Sequence, residues 1–274
     1  MGRDGLLRLA FERRGARTVL TERRFTLPLQ ALESMDLDGS GVATLMLLNP
    51  TGGLVGGDAV ETSVTLGSGS RVCLTTAAAT RVYRSTGAPA VQRFAAVLEG
   101  DAALEYLPDH LIPSPGARLR QSIEVALAPE STLIALDAWA VGRIARGERW
   151  RFDELDSAIV VRDRRGLLLR ERARLPGARS RAGLGGAEGQ GYVATFVAMA
   201  PAREEWDRLT DELVAVVDAA RLDARVGVTP LGRGGLLARL LCPSAPVLHE
   251  AVGALWTVAR HRLLGLEALC LRKL

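Results

Sequence analysis

Hydrophobic and polar positions alternate along the first two thirds of the chain. Over residues 60–66, Val60, Thr62, Val64 and Leu66 share one face and Glu61, Ser63 and Thr65 the other. Over 118–127, Leu119, Gln121, Ile123, Val125 and Leu127 alternate with Arg118, Arg120, Ser122, Glu124 and Ala126. A period of two is the mark of a strand with two unlike faces. The same reading predicts strands at 43–48, 71–76, 92–99, 103–107, 132–141, 158–162, 166–175 and 191–199. Asp163-Arg164-Arg165-Gly166 reads as a hairpin turn, with Gly166 able to take a positive φ. Strands this regular, with few helical stretches between them, point to an all-β sandwich, barrel or solenoid.

The last quarter changes period. Residues 203–221 place Trp206, Leu209, Leu213, Val216, Val217 and Ala220 at helical spacing, which predicts an amphipathic helix. A second helix is predicted over 246–264, with Ser244 as its cap, Pro246 in its first turn and Gly265 as its stop. Between them, 225–242 reads as one or two further strands, and the patternless segment 179–190 as a flexible loop. The organisation expected is a single domain over 1–274, with a strand-rich body of about 5–200 and two late helices.

Composition narrows the function. A chain of 274 residues can bury a sizeable core. The net charge is only +4, Lys273 is the sole lysine among 35 basic residues, and aromatics are 4%, so neither a basic footprint nor stacking platforms for nucleic acid are present. The cysteines Cys73, Cys242 and Cys270 are odd in number and far apart, which argues against a disulfide framework or a zinc ribbon. The N-terminus mixes acids with arginines and lacks an apolar signal segment, and no apolar run is long enough to span a bilayer. The expectation is a soluble, reduced, cytoplasmic protein with no membrane and no nucleic-acid partner.

Candidate chemistry is sparse. The run Asn49-Pro50-Thr51-Gly52-Gly53-Leu54-Val55-Gly56-Gly57-Asp58 lacks the Lys and hydroxyl of a phosphate loop and ends on an acid, so it reads as two tight turns. No GxSxG nucleophile elbow is present. Of the three histidines, His249 and His261 lie twelve positions apart on one predicted helix, about 120° around its axis, and cannot chelate one ion together. Each reads as a surface histidine, and a zinc enzyme with His ligands is not expected. Acids set within strands stand out more: Glu105, Asp137 and Glu171, with Asp58 and Glu61 beside them. Such a carboxylate is either on an exposed face, or buried with a partner, or part of an acid-lined polar channel. The arginines of 162–181 read as a solvated charged hairpin or a face for an acidic partner.

Four segments taken together, NPTGGLVGGD at 49–58, LTTAAATRVYRS at 74–85, ALEYLPDHLIPSPGARLRQ at 103–121, and GRIARGERW at 142–150 with RERARL around Glu171, resemble the UreD (UreH) family of urease accessory proteins. The resemblance runs over nearly the whole chain, and its motif residues are Asn49, Gly52, Gly53, Gly56, Gly57, Thr75, Thr76, Tyr83, Arg84, Ser85 and Pro108. The chain departs from the family pattern at Thr51, Ala77, Arg81, His110 and Ser114. The resemblance implies a β-helix-like stack of many strands with two helices near the C-terminus. It also implies a non-enzymatic scaffold for urease maturation that binds the urease apoprotein and UreF and, through UreF, the GTPase UreG. No cofactor would be tightly bound. Nickel would pass transiently through an internal tunnel, for which Asp58, Glu61, Glu105, Asp137 and Glu171 are the candidate carboxylates. Hard oxygen ligands hold such an ion weakly enough to release it. Surplus apolar residues on the helices, Trp206, Leu213, Leu255 and Trp256, are expected to face UreF. Two rivals are a β-fold hydrolase using Asp58 and Glu105 as acid and base, and a β-solenoid interaction protein without metal traffic.

Overall fold

In a computed structural model of the chain, residues 4–176, 187–269 and 271 are described. Arg179, Arg181 and Cys270, and most of the loop expected over 179–190, lie outside the described residues. In chain order the strands are β1 (Asp4–Arg14), β2 (Arg17–Thr26), β3 (Gln30–Ala31), β4 (Ala43–Leu48), β5 (Ala59–Leu66), β6 (Arg71–Thr76), β7 (Thr80–Val82), β8 (Ala90–Leu98), β9 (Ala103–Leu107) and β10 (Leu111–Pro113). Then follow β11 (Arg118–Leu127), β12 (Thr132–Ala140), β13 (Gly142–Arg143), β14 (Glu148–Arg149), β15 (Glu154–Asp163), β16 (Gly166–Pro176) and β17 (Tyr192–Met199). Helix α1 (Trp206–Ala219), strands β18 (Arg225–Leu231) and β19 (Gly235–Cys242), and helix α2 (Ala245–Leu264) close the chain.

The chain coils. It passes alternately from β4 to β5, β6, β8, β9, β11, β12 and β15, so that β1, β5, β8, β11 and β15 stack as parallel neighbours in one sheet and β4, β6, β9 and β12 in the other. About four solenoid turns result. Antiparallel strands finish the edges: β2 and β16 on the first sheet, and β17, β19 and β18 on the second. Both helices cover the outer face of the second sheet, with Trp206, Leu213, Leu255 and Trp256 in the same apolar cluster as Ile134, Leu136 and Phe196.

This layering explains the two kinds of strand pattern. The first sheet is covered on one face only, so β5 and β11 alternate cleanly between buried and exposed positions. The second sheet is covered on both faces, so every residue of β9 and β12 is buried and their sequences read as apolar runs broken only by Glu105 in β9 and by Thr132 and Asp137 in β12. Coiling also places like residues in rows. One row of the inner face of the first sheet is Leu9, Val64, Ala96, Val125 and Val161, and the next is Leu7, Thr62, Phe94, Ile123 and Ile159. Facing them on the second sheet is the row Leu45, Leu74, Tyr106, Ala135, Val197 and Leu237.

The hairpin turn at 163–166 forms, with Gly166 at φ 120°. Ser244 caps α2 by accepting from the Val247 N–H, and Gly265 ends it with φ 65°. The first helix is shorter than expected, starting at Trp206, and Arg203 instead donates from its guanidinium to the carbonyls of Arg262 and Leu263 at the end of α2. The hairpin of β1 and β2 was not foreseen, although Leu7, Leu9 and Phe11 alternate with Arg8, Ala10 and Glu12 before a turn at Gly15. No helix among the described residues is long and apolar enough to cross a membrane.

Candidate functional site

One row between the sheets is polar. On the first sheet, Gln92, Gln121 and Ser157 are in register on β8, β11 and β15. On the inner face of the second sheet, Asp137, Thr195 and Arg239 are in register on β12, β17 and β19. The two rows meet. The Gln121 Nε2 donates to Asp137 Oδ1 at 2.8 Å and to Ser157 Oγ at 3.1 Å, and Ser157 Oγ donates to Asp137 Oδ2 at 2.6 Å. All three side chains are buried. At the edge of the sandwich, Arg239 donates to Glu171 Oε2 on β16 at 2.7 Å, so the polar layer runs from Asp137 outward to a partly solvated ion pair.

Among the described residues, no cation stands within ion-pair distance of Asp137. Burial raises its pKa above the ordinary carboxylate range; the hydrogen bonds from Ser157 and Gln121 pull the other way, and the Glu171 charge adds to the rise. Burial likewise drives the Tyr106 phenol up, with the Asp137 charge contributing. A cavity of about 140 Å³ lies in the same inter-sheet space, and Thr62, Gln92, Tyr106 and Thr76 are among its walls. The layer is therefore a set of neutral oxygen and amide groups around one carboxyl group whose ionisation is opposed by burial. Such a group can accept a proton or a passing cation.

Of the five candidate carboxylates, the fold brings only Asp137 and Glu171 together. Glu105 is on β9 but on the opposite face of its sheet, beneath α2. There Trp256 Nε1 donates to its Oε2, and the fully buried Arg260 stands 3.8 Å from its Oε1 and 3.2 Å from Asp38. Burial raises the pKa of Glu105, opposed by Arg260 and the Trp256 hydrogen bond. Asp58 is buried in the turn before β5, where its carboxylate accepts from the Val55 N–H at 2.9 Å. Glu61 is exposed on the outer face of the first sheet.

The motif residues build an elbow of the solenoid. Leu54 bridges to Val82, its N–H donating to the Arg81 carbonyl while its own carbonyl accepts from the Tyr83 N–H. The Asn49 amide donates to the Gly53 carbonyl, and the Tyr83 hydroxyl to that of Gly52. Gly53 has φ 143°, and a Cβ there would lie 2.3 Å from the Arg81 carbonyl oxygen, so the two expected turns are real and also bring two backbones into contact. Gly52 and Gly57 also have positive φ, and a Cβ on Gly56 would meet Ser85 at 2.8 Å. Ser85 accepts from the Arg118 N–H, and Arg84 forms a bridge to Ala117. Thr75 donates to the Leu107 carbonyl, Thr76 accepts from the Asp109 N–H, and Pro108 lines a hollow under α2.

One expectation is corrected. Trp206, Leu213, Leu255 and Trp256 are between 0% and 7% exposed, because they pack on the outer face of the second sheet. They form a second core rather than a surface awaiting a partner. Part of the arginine-rich hairpin is likewise satisfied within the chain: Arg172 makes a bidentate pair with Asp156, and Arg233 reaches Asp163. Three features escaped the sequence reading. Gln121 stands on the apolar face of its strand between Leu119 and Ile123, and Ser157 stands likewise between Leu155 and Ile159; a polar residue on an apolar face was the available signal. Asp109, His110 and His249, far apart in sequence, converge at one edge of α2.

The family model described as "UreD urease accessory protein" matches residues 3–273. The urease accessory protein UreD of Dechloromonas aromatica is 35% identical over 272 residues, covering 96% of this chain and 91% of that protein. That of Azoarcus sp. is 36% identical over 281 residues, covering 97% and 92%. The UreD of Alkalilimnicola ehrlichii is 34% identical over 266 residues, covering 97% and 89%. With a match across nearly its whole length and a mainly-β stack carrying two C-terminal helices, the chain belongs to the UreD family of urease accessory proteins.

Proposed function

We propose that this chain is a non-enzymatic, cytoplasmic scaffold for nickel insertion into urease. In this reading it binds the urease apoprotein and UreF, and through UreF the GTPase UreG, while nickel crosses its interior along the polar layer between the sheets. One observation carries the passage: a buried carboxylate, Asp137, with no cation within ion-pair distance among the described residues, in a polar row that reaches the edge at Glu171. Carboxylate, amide and hydroxyl oxygens bind a borderline divalent ion weakly, which suits transfer rather than storage. Asp137 and Glu171 are the two carboxylates proposed to act on the ion. Asp58 and Glu105 support the turn and the helix layer, and Glu61 lies off the path. The names of the relatives, all accessory proteins, support a role without catalysis. The exposed outer faces of α1 and α2, rather than their buried tryptophans, would meet UreF.

The test is the nickel content and urea hydrolysis of the cognate urease expressed without this chain and then with it restored. Nickel-poor, inactive urease that recovers on restoration is expected. Nickel-replete, fully active urease in its absence would overturn the reading. Restoration with Asp137→Asn separates passage from scaffolding: a complex that assembles but leaves urease nickel-poor is expected, and unchanged nickel loading would remove the polar layer from the mechanism.

A further inference from the structure

A second site lies outside the polar layer. Between α2 and the outer face of the second sheet is a hollow of about 610 Å³. Asp109, His110 and His249 stand in its wall, and one ligand atom from each lies within 4.8 Å of the others. The Asp109 Oδ1 to His249 Nε2 distance is 3.5 Å. That is long for a direct N–H···O bond. It is close to the edge of a tetrahedron of ligands set around 2.0–2.1 Å from a metal, about 3.3–3.4 Å.

The three groups come from two segments: Asp109 and His110 from the connection between β9 and β10, and His249 from α2. Asp109 is fixed by its N–H donating to Thr76 Oγ1, and His110 by its carbonyl accepting from the Thr80 N–H. The buried His110 ring stands edge-on to Tyr192 with centroids 5.1 Å apart, and 5.7 Å from the ring of His249. His249 sits in the second turn of α2, whose start is set by the Ser244 cap, and its side chain is 56% exposed. Two ligands are thus preset and mostly buried, and the third faces solvent.

We propose that Asp109, His110 and His249 form a binding site for a late first-row divalent ion, such as Ni²⁺ or Zn²⁺. Two imidazoles and one carboxylate favour these ions over Mg²⁺ or Ca²⁺, which prefer all-oxygen sets. Three protein ligands leave at least one position for water, so the ion is exchangeable rather than structural. The inference stands whether or not the chain serves urease, because it concerns uptake by the chain alone.

The experiment is equilibrium dialysis of the purified full-length chain against Ni²⁺ and, separately, Zn²⁺, with Co²⁺ absorption spectra as a report on the ligand set. Because His249 is solvent-facing, His249→Ala should keep the unfolding temperature of the parent while weakening uptake at least about tenfold and changing the Co²⁺ spectrum. Asp109→Asn should weaken uptake in the same sense. His261→Ala, which changes an exposed histidine further along the same helix, should change nothing. Equal affinity and an equal spectrum for the parent and His249→Ala would overturn the site, as would no uptake of either ion by the parent. Neither result bears on whether urease is activated in the restoration experiment, so the two readings fail separately.

Discussion

Replacing Asp137 by Asn removes an ionisable group and almost no volume from the middle of the polar layer. The Asn oxygen still accepts from Gln121, whose Nε2 is 2.8 Å from Asp137 Oδ1. The new amide can donate to Ser157 Oγ, but the Ser157 hydroxyl then loses the acceptor it has at 2.6 Å, at a cost of about 1 kcal/mol. Against this stands the charge. Burial holds the folded-state pKa of Asp137 above its ordinary value of 3.8. A raised carboxylate favours the folded state at low pH, and that advantage is lost as pH rises from the ordinary value to the folded pKa. Over that window the parent loses about 1.4 kcal/mol per pH unit relative to Asp137→Asn, and the difference is flat above it. For a chain of this size each such unit corresponds to roughly 3–6 °C in Tm. Thermal unfolding of both proteins between pH 4 and pH 8 should therefore give curves that converge or cross: the variant less stable in acid and gaining on the parent as pH rises. The same variant should fail to load urease with nickel. A stability difference that does not change with pH would refute the claim that burial opposes the ionisation of this carboxyl group.

Other expectations follow from the same geometry. Leu255→Ala should destabilise the isolated chain by about 2–5 kcal/mol in urea unfolding, since Leu255 is fully buried; an unchanged midpoint would return it to the surface. Glu171→Gln breaks an ion pair whose arginine is 63% exposed, so it should cost no more than about 1 kcal/mol. It should nevertheless lower the nickel content of urease, and unchanged loading would place the path elsewhere. Gly53→Ala must fit a Cβ 2.3 Å from a carbonyl oxygen at φ 143°, and should cost at least about 1–3 kcal/mol, read as a lower Tm. A wild-type Tm would show that the elbow is free to open.

Local rules made much of this protein legible. Period-two alternation identified the strands of the first sheet because that sheet has one wet face, and the cap at Ser244 and stop at Gly265 identified α2 because they act within one turn. The Gly53 turn was readable because a positive φ requires a residue without Cβ. The strand at 132–140 was legible only as an apolar run, since both its faces are covered and no alternation survives.

What the sequence determined, then, is what neighbours along the chain decide: which segments are strands or helices, where they turn, and, through its motifs, the family. Tertiary structure alone decided which acids meet. Glu105 and Asp137 both look like carboxylates within apolar strands, but coiling sends Glu105 to the helix-covered face beside Arg260 and Asp137 to the inter-sheet face beside Gln121 and Ser157. Stacking in register across successive turns is what aligned Gln92, Gln121 and Ser157 into one layer opposite Asp137. The tryptophans that read as an unpartnered surface became a core because a sheet lay beneath them. Asp109, His110 and His249 converge because α2 folds back across the second sheet, a contact between residues about 140 positions apart that no local periodicity encodes.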